Sequence, residues 1–166
     1  IFAIGSANKA LIHNGIHPDA VTTYDPNPHN VLVFEEIITR KIQNIPIVYG
    51  STVGYSTLNH YPGPKLHMVT NQDFLANYLL AKEELVSRDE IIHDAPTIAV
   101  ITMQMLLKLQ CNPIILVGQN FGFKNNQYYS KGIQYTVRGE QLTEVEKANL
   151  IEVVGVDGGG EQTLPN

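Results

Sequence analysis

The chain has 166 residues, 43% of them hydrophobic, with 11 basic and 16 acidic side chains and a net charge of -5. That length provides one compact domain with a sizeable core and too little for two. The negative balance, with no Lys/Arg block, argues against broad electrostatic capture of nucleic acid or an anionic membrane, and no apolar run approaches the roughly 20 residues of a spanning helix.

Strand and helix signals alternate along the chain. Residues 1–4 form an apolar run broken by Gly5-Ser6, and residues 8–14 carry helical spacing that stops at Gly15. The run opens on Ile1 as a strand already under way, without an initiating Met or a basic flank, which reads as an excised piece. Residues 20–24 read as a second strand, closed by Asp25-Pro26-Asn27-Pro28, where the prolines forbid continuation and place Asp25 on a turn. A helix is expected over 29–43, then a third strand over 45–49 ending at Gly50-Ser51-Thr52. Residues 65–70 make a fourth strand, followed by a helix over 73–86 with Asn71 as its cap.

Residues 96–110 are apolar on nearly all sides, which predicts a buried central helix starting after Asp94. Residues 114–117 then read as a fifth buried strand, stopping at Gly118-Gln119-Asn120. The lone cysteine, Cys111, lies in this apolar stretch and has no internal disulfide partner, so it reads as a buried packing residue in a reducing compartment. In the tail, residues 133–137 and 151–156 alternate, and Asp157-Gly158-Gly159-Gly160 is a turn signature. The order predicts an α/β domain over 1–166, with a mostly parallel sheet, helices on both faces and a small C-terminal β appendage. The core is placed at 1–126 and the β-rich tail at 127–166.

In open parallel sheets, ligands bind at the carboxyl ends of the strands. Those ends supply Gly5, Ser6, Asp25, Asn27, Ser51, Thr52, Gln119 and Asn120, with Thr97 near the start of the apolar helix. Small, hydroxyl and amide groups suit hydrogen bonding to phosphate, ribose and base edges, although the same residues also simply turn the chain. Neither G-x-G-x-x-G nor G-x-x-x-x-G-K-[ST] occurs, so dinucleotide dehydrogenase and P-loop readings lose their main support. Asp25 is the best-placed carboxylate, suited to a ribose hydroxyl, a Mg²⁺ ion or a proton, or else to an Asx turn. His93-Asp94 is either an acid/base pair at a helix N-terminus or a capping segment. The six histidines lack the spacing and partners of a zinc site. Tyr128, Tyr129 and Lys131 lie on a polar-aromatic loop that would serve as a lid or as ordinary surface.

The segments DAVTTYDPNP, IPIVYGSTV, DAPTIAVITMQMLLKLQCNPIILVGQNFGF and VVGVDGGGEQTLPN resemble, in this order, those of the DUF115 family. That family includes the motility accessory factors (Maf flagellin glycosyltransferases) of flagellated bacteria and, more distantly, archaeal 6-hydroxymethylpterin diphosphokinases. The resemblance implies a Rossmann-like domain in the cytoplasm that moves a nonulosonic acid from its CMP-activated form to Ser/Thr hydroxyls of flagellin. On that reading Asp25 and His93 are the catalytic candidates, and Gly5, Ser6, Asn27, Ser51, Thr52, Thr97, Gln119 and Asn120 the ligand-binding ones. Family members usually carry a preceding strand ending in a Gly-Pro-Ser type turn, so this chain is expected to be a core lacking part of its site. Two departures stand out: Asn120 replaces a common Asp, and Asp94-Ala95-Pro96-Thr97 replaces a Gly/Ser-rich turn. The alternatives are a diphosphokinase using ATP and Mg²⁺ with Asp25 and Asp94, and a non-catalytic module that binds a nucleotide sugar or flagellin.

Overall fold

The computed structural model describes residues 1–83, 85, 87–118, 122–123, 125–129, 132–135, 139, 141–155 and 160–164, with Arg88 in its backbone only. Two compact units divide it, Ile1–Ile114 and Ile115–Asn166.

The first unit is built on four parallel strands in the order β1-β2-β3-β4: β1 Phe2–Ile4, β2 Ala20–Thr23, β3 Ile47–Gly50 and β4 Lys65–Met68. All four lie where the apolar runs predict them. Period-two alternation then sorts the side chains onto two faces. On one face Ala3, Val21 and Ile47 pack with Ile12 of helix α1 (Ala7–His13), Phe34 of a 3-10 segment (Pro28–Phe34) and Ile37 of α2 (Glu35–Thr39). On the other face Ala20, Val48 and Met68 pack against Ile101 and Met105 of α5 (Ile98–Lys108). Each fully buried residue of this kind stabilises the fold by about 1.5–3 kcal/mol. The fold is therefore α/β and Rossmann-like, with helices on both faces, as expected.

Several local features follow from single residues. Gly15, at φ +73°, ends α1 just past its cap Asn14 in the left-handed conformation that glycine adopts without strain. Pro28 opens a tight 3-10 segment where a continuous helix is expected over 29–43, and only Glu35–Thr39 is α-helical. The short helix α3 (Tyr55–His60) lies in a stretch of Ser, Thr and Tyr that the sequence pattern leaves as loop. The helix expected over 73–86 is α4 (Phe74–Lys82), and its cap is Asp73, whose side chain accepts the Ala76 amide. Asn71 instead accepts the Asp94 amide at 2.7 Å.

Two expectations are corrected. Residues 114–117 form no strand: Ile115, Leu116 and Val117 are exposed, because strand propensity yields a ladder only where a partner edge is present, and none pairs here among the described residues. The helix over 98–108 is not buried on all sides. Only Ile101, Thr102 and Met105 are covered, while Val100 and Leu107 face outward, since one helix on one sheet face hides one stripe. Cys111 is a half-buried free thiol.

The second unit contains an antiparallel pair, β5 Ile151–Val154 and β6 Gly160–Thr163, and helix α6 Glu144–Ala148. Thr143 and Glu146 close a capping box on α6, and the Tyr128 hydroxyl donates to the Glu146 carboxylate. Phe123 bridges to Gln162, and its ring meets Tyr128 edge-on, with centroids 6.1 Å apart. This is the expected small β appendage. The turn residues Asp157, Gly158 and Gly159 lie outside the described residues, as does Lys131.

Candidate functional site

The carboxyl ends of the four parallel strands are tied to one another. After β1, the Gly5 amide donates to the Thr22 carbonyl of β2 at 3.2 Å. Gly5 itself has φ +49°. Beneath this turn Asn8 is fully buried, and its amide donates to the carbonyls of Gly5 and Val33. Its Oδ1 has no hydrogen-bond partner among the described residues. Lys9 is equally buried, with Nζ 3.2 Å from the Glu35 carboxylate, which fastens α1 to α2. Ser6 occupies the N-cap position of α1 without a side-chain capping bond.

After β2, Asp25 makes an Asx turn, its Oδ1 accepting the Asn27 amide at 2.9 Å. Asn27 in turn accepts the His29 amide and so caps the 3-10 segment. Buried Asn30 donates to Thr23 Oγ1 at 3.0 Å, holding the turn from below. After β3, Thr52 Oγ1 donates to the Tyr24 carbonyl at 2.7 Å, and a Cβ at Gly54 would lie 3.3 Å from the Pro26 carbonyl. The β2 and β3 loops therefore lie against each other. Ser51 reaches the other way: its Oγ is 2.6 Å from Nε2 of His67 on β4.

Helix α5 brings its N-terminus to this same edge, because Thr102 in its second turn bonds Thr22 near the end of β2 at 2.9 Å. Thr97 caps the helix through the Val100 amide. Ser6, Asp25, Asn27, Ser51, Thr52 and Thr97 thus share one rim. His93 is exposed and its backbone is clasped by the Gln104 side chain, and no contact among the described residues joins it to Asp25. Gln119 and Asn120 lie outside the described residues.

Sequence reasoning passed over His67 and Asp73. The available signal was a histidine inside a parallel strand, where both faces are normally covered. The Ser51 hydroxyl beside Asp73, then the Ala76 amide and the charge of His67, hold the Asp73 carboxyl below its ordinary value of 3.8. A carboxyl lowered by folding stabilises the folded state fully above its unfolded value and loses that contribution as pH falls through the folded one. Asp73→Ala is accordingly expected to lower stability by about 1 kcal/mol at neutral pH. The difference should shrink below about pH 3.8. Urea midpoints of both proteins across that range check this, and a pH-independent difference would contradict it.

Among the described residues no group of three or more His, Cys, Asp or Glu could hold a metal, and no helix is long and apolar enough to cross a membrane. The model of the family described as 6-hydroxymethylpterin diphosphokinase MptE-like matches residues 1–126. Among solved structures the chain is similar to the Maf glycosyltransferase from Magnetospirillum magneticum AMB-1, with a TM-score of 0.67 and 16% identity over 99% of this chain. The chain spans 23% of the length of that enzyme, and the likeness is one of fold. No curated protein matches the sequence.

Proposed function

This chain belongs to the MptE-like family, and on that premise we propose that it is the nucleotide-binding core of a Maf-like glycosyltransferase. Its donor is a CMP-activated nonulosonic acid, its acceptor a Ser/Thr hydroxyl of flagellin, and its compartment the cytoplasm. The observation that carries this reading is the rim itself: three consecutive parallel strands, β1 to β3, deliver Ser6, Asp25, Asn27, Ser51 and Thr52 to one edge, joined by Gly5 to Thr22 and Thr52 to Tyr24. The Maf-like fold supports the class of donor.

Transfer requires the departing phosphate to be stabilised as it gains charge. The N-terminal amides of α5 beyond Thr97, and those at the Gly5-Ser6 turn, supply donors without side-chain bulk. Ser51 and Thr52 suit sugar or ribose hydroxyls, and Asp25, fixed by its own turn, presents its remaining oxygen to a donor hydroxyl.

The family description favours a second reading, diphosphate transfer from ATP with Mg²⁺. Magnesium in such sites is typically held by one or two carboxylates together with substrate phosphates. Asp25 and Asp94 are the carboxylates assigned to it here, and Asp25 already commits one oxygen to the Asn27 amide. They do not form a protein-only cage.

Thermal unfolding with CMP, ATP, and ATP plus Mg²⁺ separates the readings. A ligand at 100 times its dissociation constant adds about 2.7 kcal/mol. We expect CMP alone to stabilise the chain. A response to ATP that requires Mg²⁺ would transfer the assignment to the kinase, and flagellin binding without any nucleotide response would leave a non-catalytic module.

A further inference from the structure

We infer that the His67 ring, backed by Tyr49 and fixed at its edge by Ser51, is the platform on which the flat heteroaromatic base of the ligand stacks; this deepens the reading of the rim as a nucleotide site and rests on it. The placement begins with strand parity. Ile47 packs on the face covered by α1 and α2, Tyr49 shares that face two residues on, and the register partner of Tyr49 on β4 is His67. Met68, the next residue, turns to the other face beneath α5. His67 therefore stands near the carboxyl end of β4, on the face away from α5 and on the outer strand of the sheet, with its side chain exposed.

Two contacts hold the imidazole without covering it. Its ring lies 5.3 Å from that of Tyr49, centroid to centroid, with the planes at 38°, and Ser51 Oγ is 2.6 Å from Nε2. The first contact supports one side of the ring and the second fixes one edge, whichever of the two atoms donates. The exposed side is left for a ligand. A ring held in this way loses little further freedom when a planar group settles on it. Every nucleobase has a π-face, and stacking on a histidine or other aromatic side chain requires no particular hydrogen-bond pattern.

The surroundings decide what the platform holds. Thr52, the residue after Ser51, turns the opposite way and bonds the Tyr24 carbonyl beside Asp25. The two consecutive hydroxyls thus reach across the rim from β2 to β4, two strand spacings or about 10 Å. A nucleoside monophosphate laid along that line places its ribose over Asp25 and Thr52 and its base against His67, with the phosphate turned to the α5 side. A pterin presents the same kind of π-face, so the shared chemistry is a flat, nitrogen-bearing ring. His93, the histidine that the sequence brings forward, has no such backing: only its backbone is held, by Gln104.

The test uses the full chain with CMP, with ribose 5-phosphate, which lacks the base, and with 6-hydroxymethylpterin, a heterocycle without ribose. Calorimetry should show CMP binding about tenfold more tightly than ribose 5-phosphate. The His67 ring protons should move upfield with CMP and stay in place with ribose 5-phosphate. His67→Ala should weaken CMP about tenfold and leave ribose 5-phosphate within about twofold, a split that a general loosening of β4 would not produce. His67→Phe, which keeps a π-face, should bind CMP within about threefold of the unmodified chain. Undiminished CMP binding by His67→Ala, equal loss of both ligands, or unmoved ring protons at saturation would overturn the platform and leave the CMP-donor reading standing. Pterin binding with the same dependence on His67, in a chain that does not bind CMP, would uphold the platform and overturn the donor reading. A chain that binds neither heterocycle would overturn both.

Discussion

Phe34→Ala is expected to destabilise the α/β unit by about 3–5 kcal/mol, the range for deleting a buried aromatic ring and leaving a cavity. Phe34 is fully buried at the end of the 3-10 segment and meets Tyr61 edge-on, with ring centroids 5.8 Å apart and planes at 85°. Around it lie Ile12, Ile37 and Ile45, so one ring joins α1, α2 and the approach to β3. The Tyr61 hydroxyl is fastened to the Ile45 carbonyl at 2.9 Å, and its burial pushes its pKa far up. Tyr61 therefore cannot slide into the vacated space without losing that bond. Against a typical total of about 5–15 kcal/mol, such a loss leaves little reserve. The chain has no tryptophan, so tyrosine fluorescence in urea reports the transition. A midpoint shift equivalent to less than about 1 kcal/mol would mean that the site collapses around the smaller side chain.

The second large effect is expected at Gly63, for the opposite reason. A Cβ there would lie 2.2 Å from the Ile45 carbonyl oxygen and 3.0 Å from the Tyr61 ring. The near neighbour is backbone, so no side-chain rotation relieves the clash. The loop must move, yet the Pro64 carbonyl next to it accepts the Ile47 amide at 2.8 Å and begins the β3–β4 pairing. Gly63→Ala should therefore cost about 3 kcal/mol, the upper range for overpacking. It should also loosen β4, visible as faster amide exchange at Ile47 and Tyr49. Unchanged exchange with native stability would show that the loop can yield.

The β4 strand links these stability effects to the site. His67 and Ser51 meet only because β3 and β4 pair in the observed register, with Tyr49 opposite His67. A one-residue slip would turn His67 to the other face. Disturbance at Gly63 is thus expected to reach the rim even though Gly63 lies at the far end of the strand.

Much of the first unit was legible because the hydrophobic effect acts on local patterns. The apolar runs at 1–4, 20–24, 45–49 and 65–70 mark the four strands, and Asp25-Pro26 and Gly50-Ser51 mark where they stop. Turn chemistry was local as well: Asp25 bonds the amide two residues ahead, and Thr97 the amide three ahead. Where local rules compete, the reading failed. Pro28 converts the start of a helix into a 3-10 segment, and α3 forms from residues with modest helix propensity.

What the amino-acid order determined by itself was therefore the alternation of strands and helices, the two faces of each strand and the polar character of their carboxyl ends. These depend on neighbours within a few residues. Tertiary structure alone decided which strand end meets which. It joined Ser51 to His67, left residues 114–117 without a ladder, and covered only one stripe of α5. Those outcomes depend on a partner distant along the chain, and a residue's own propensity carries no information about whether that partner arrives.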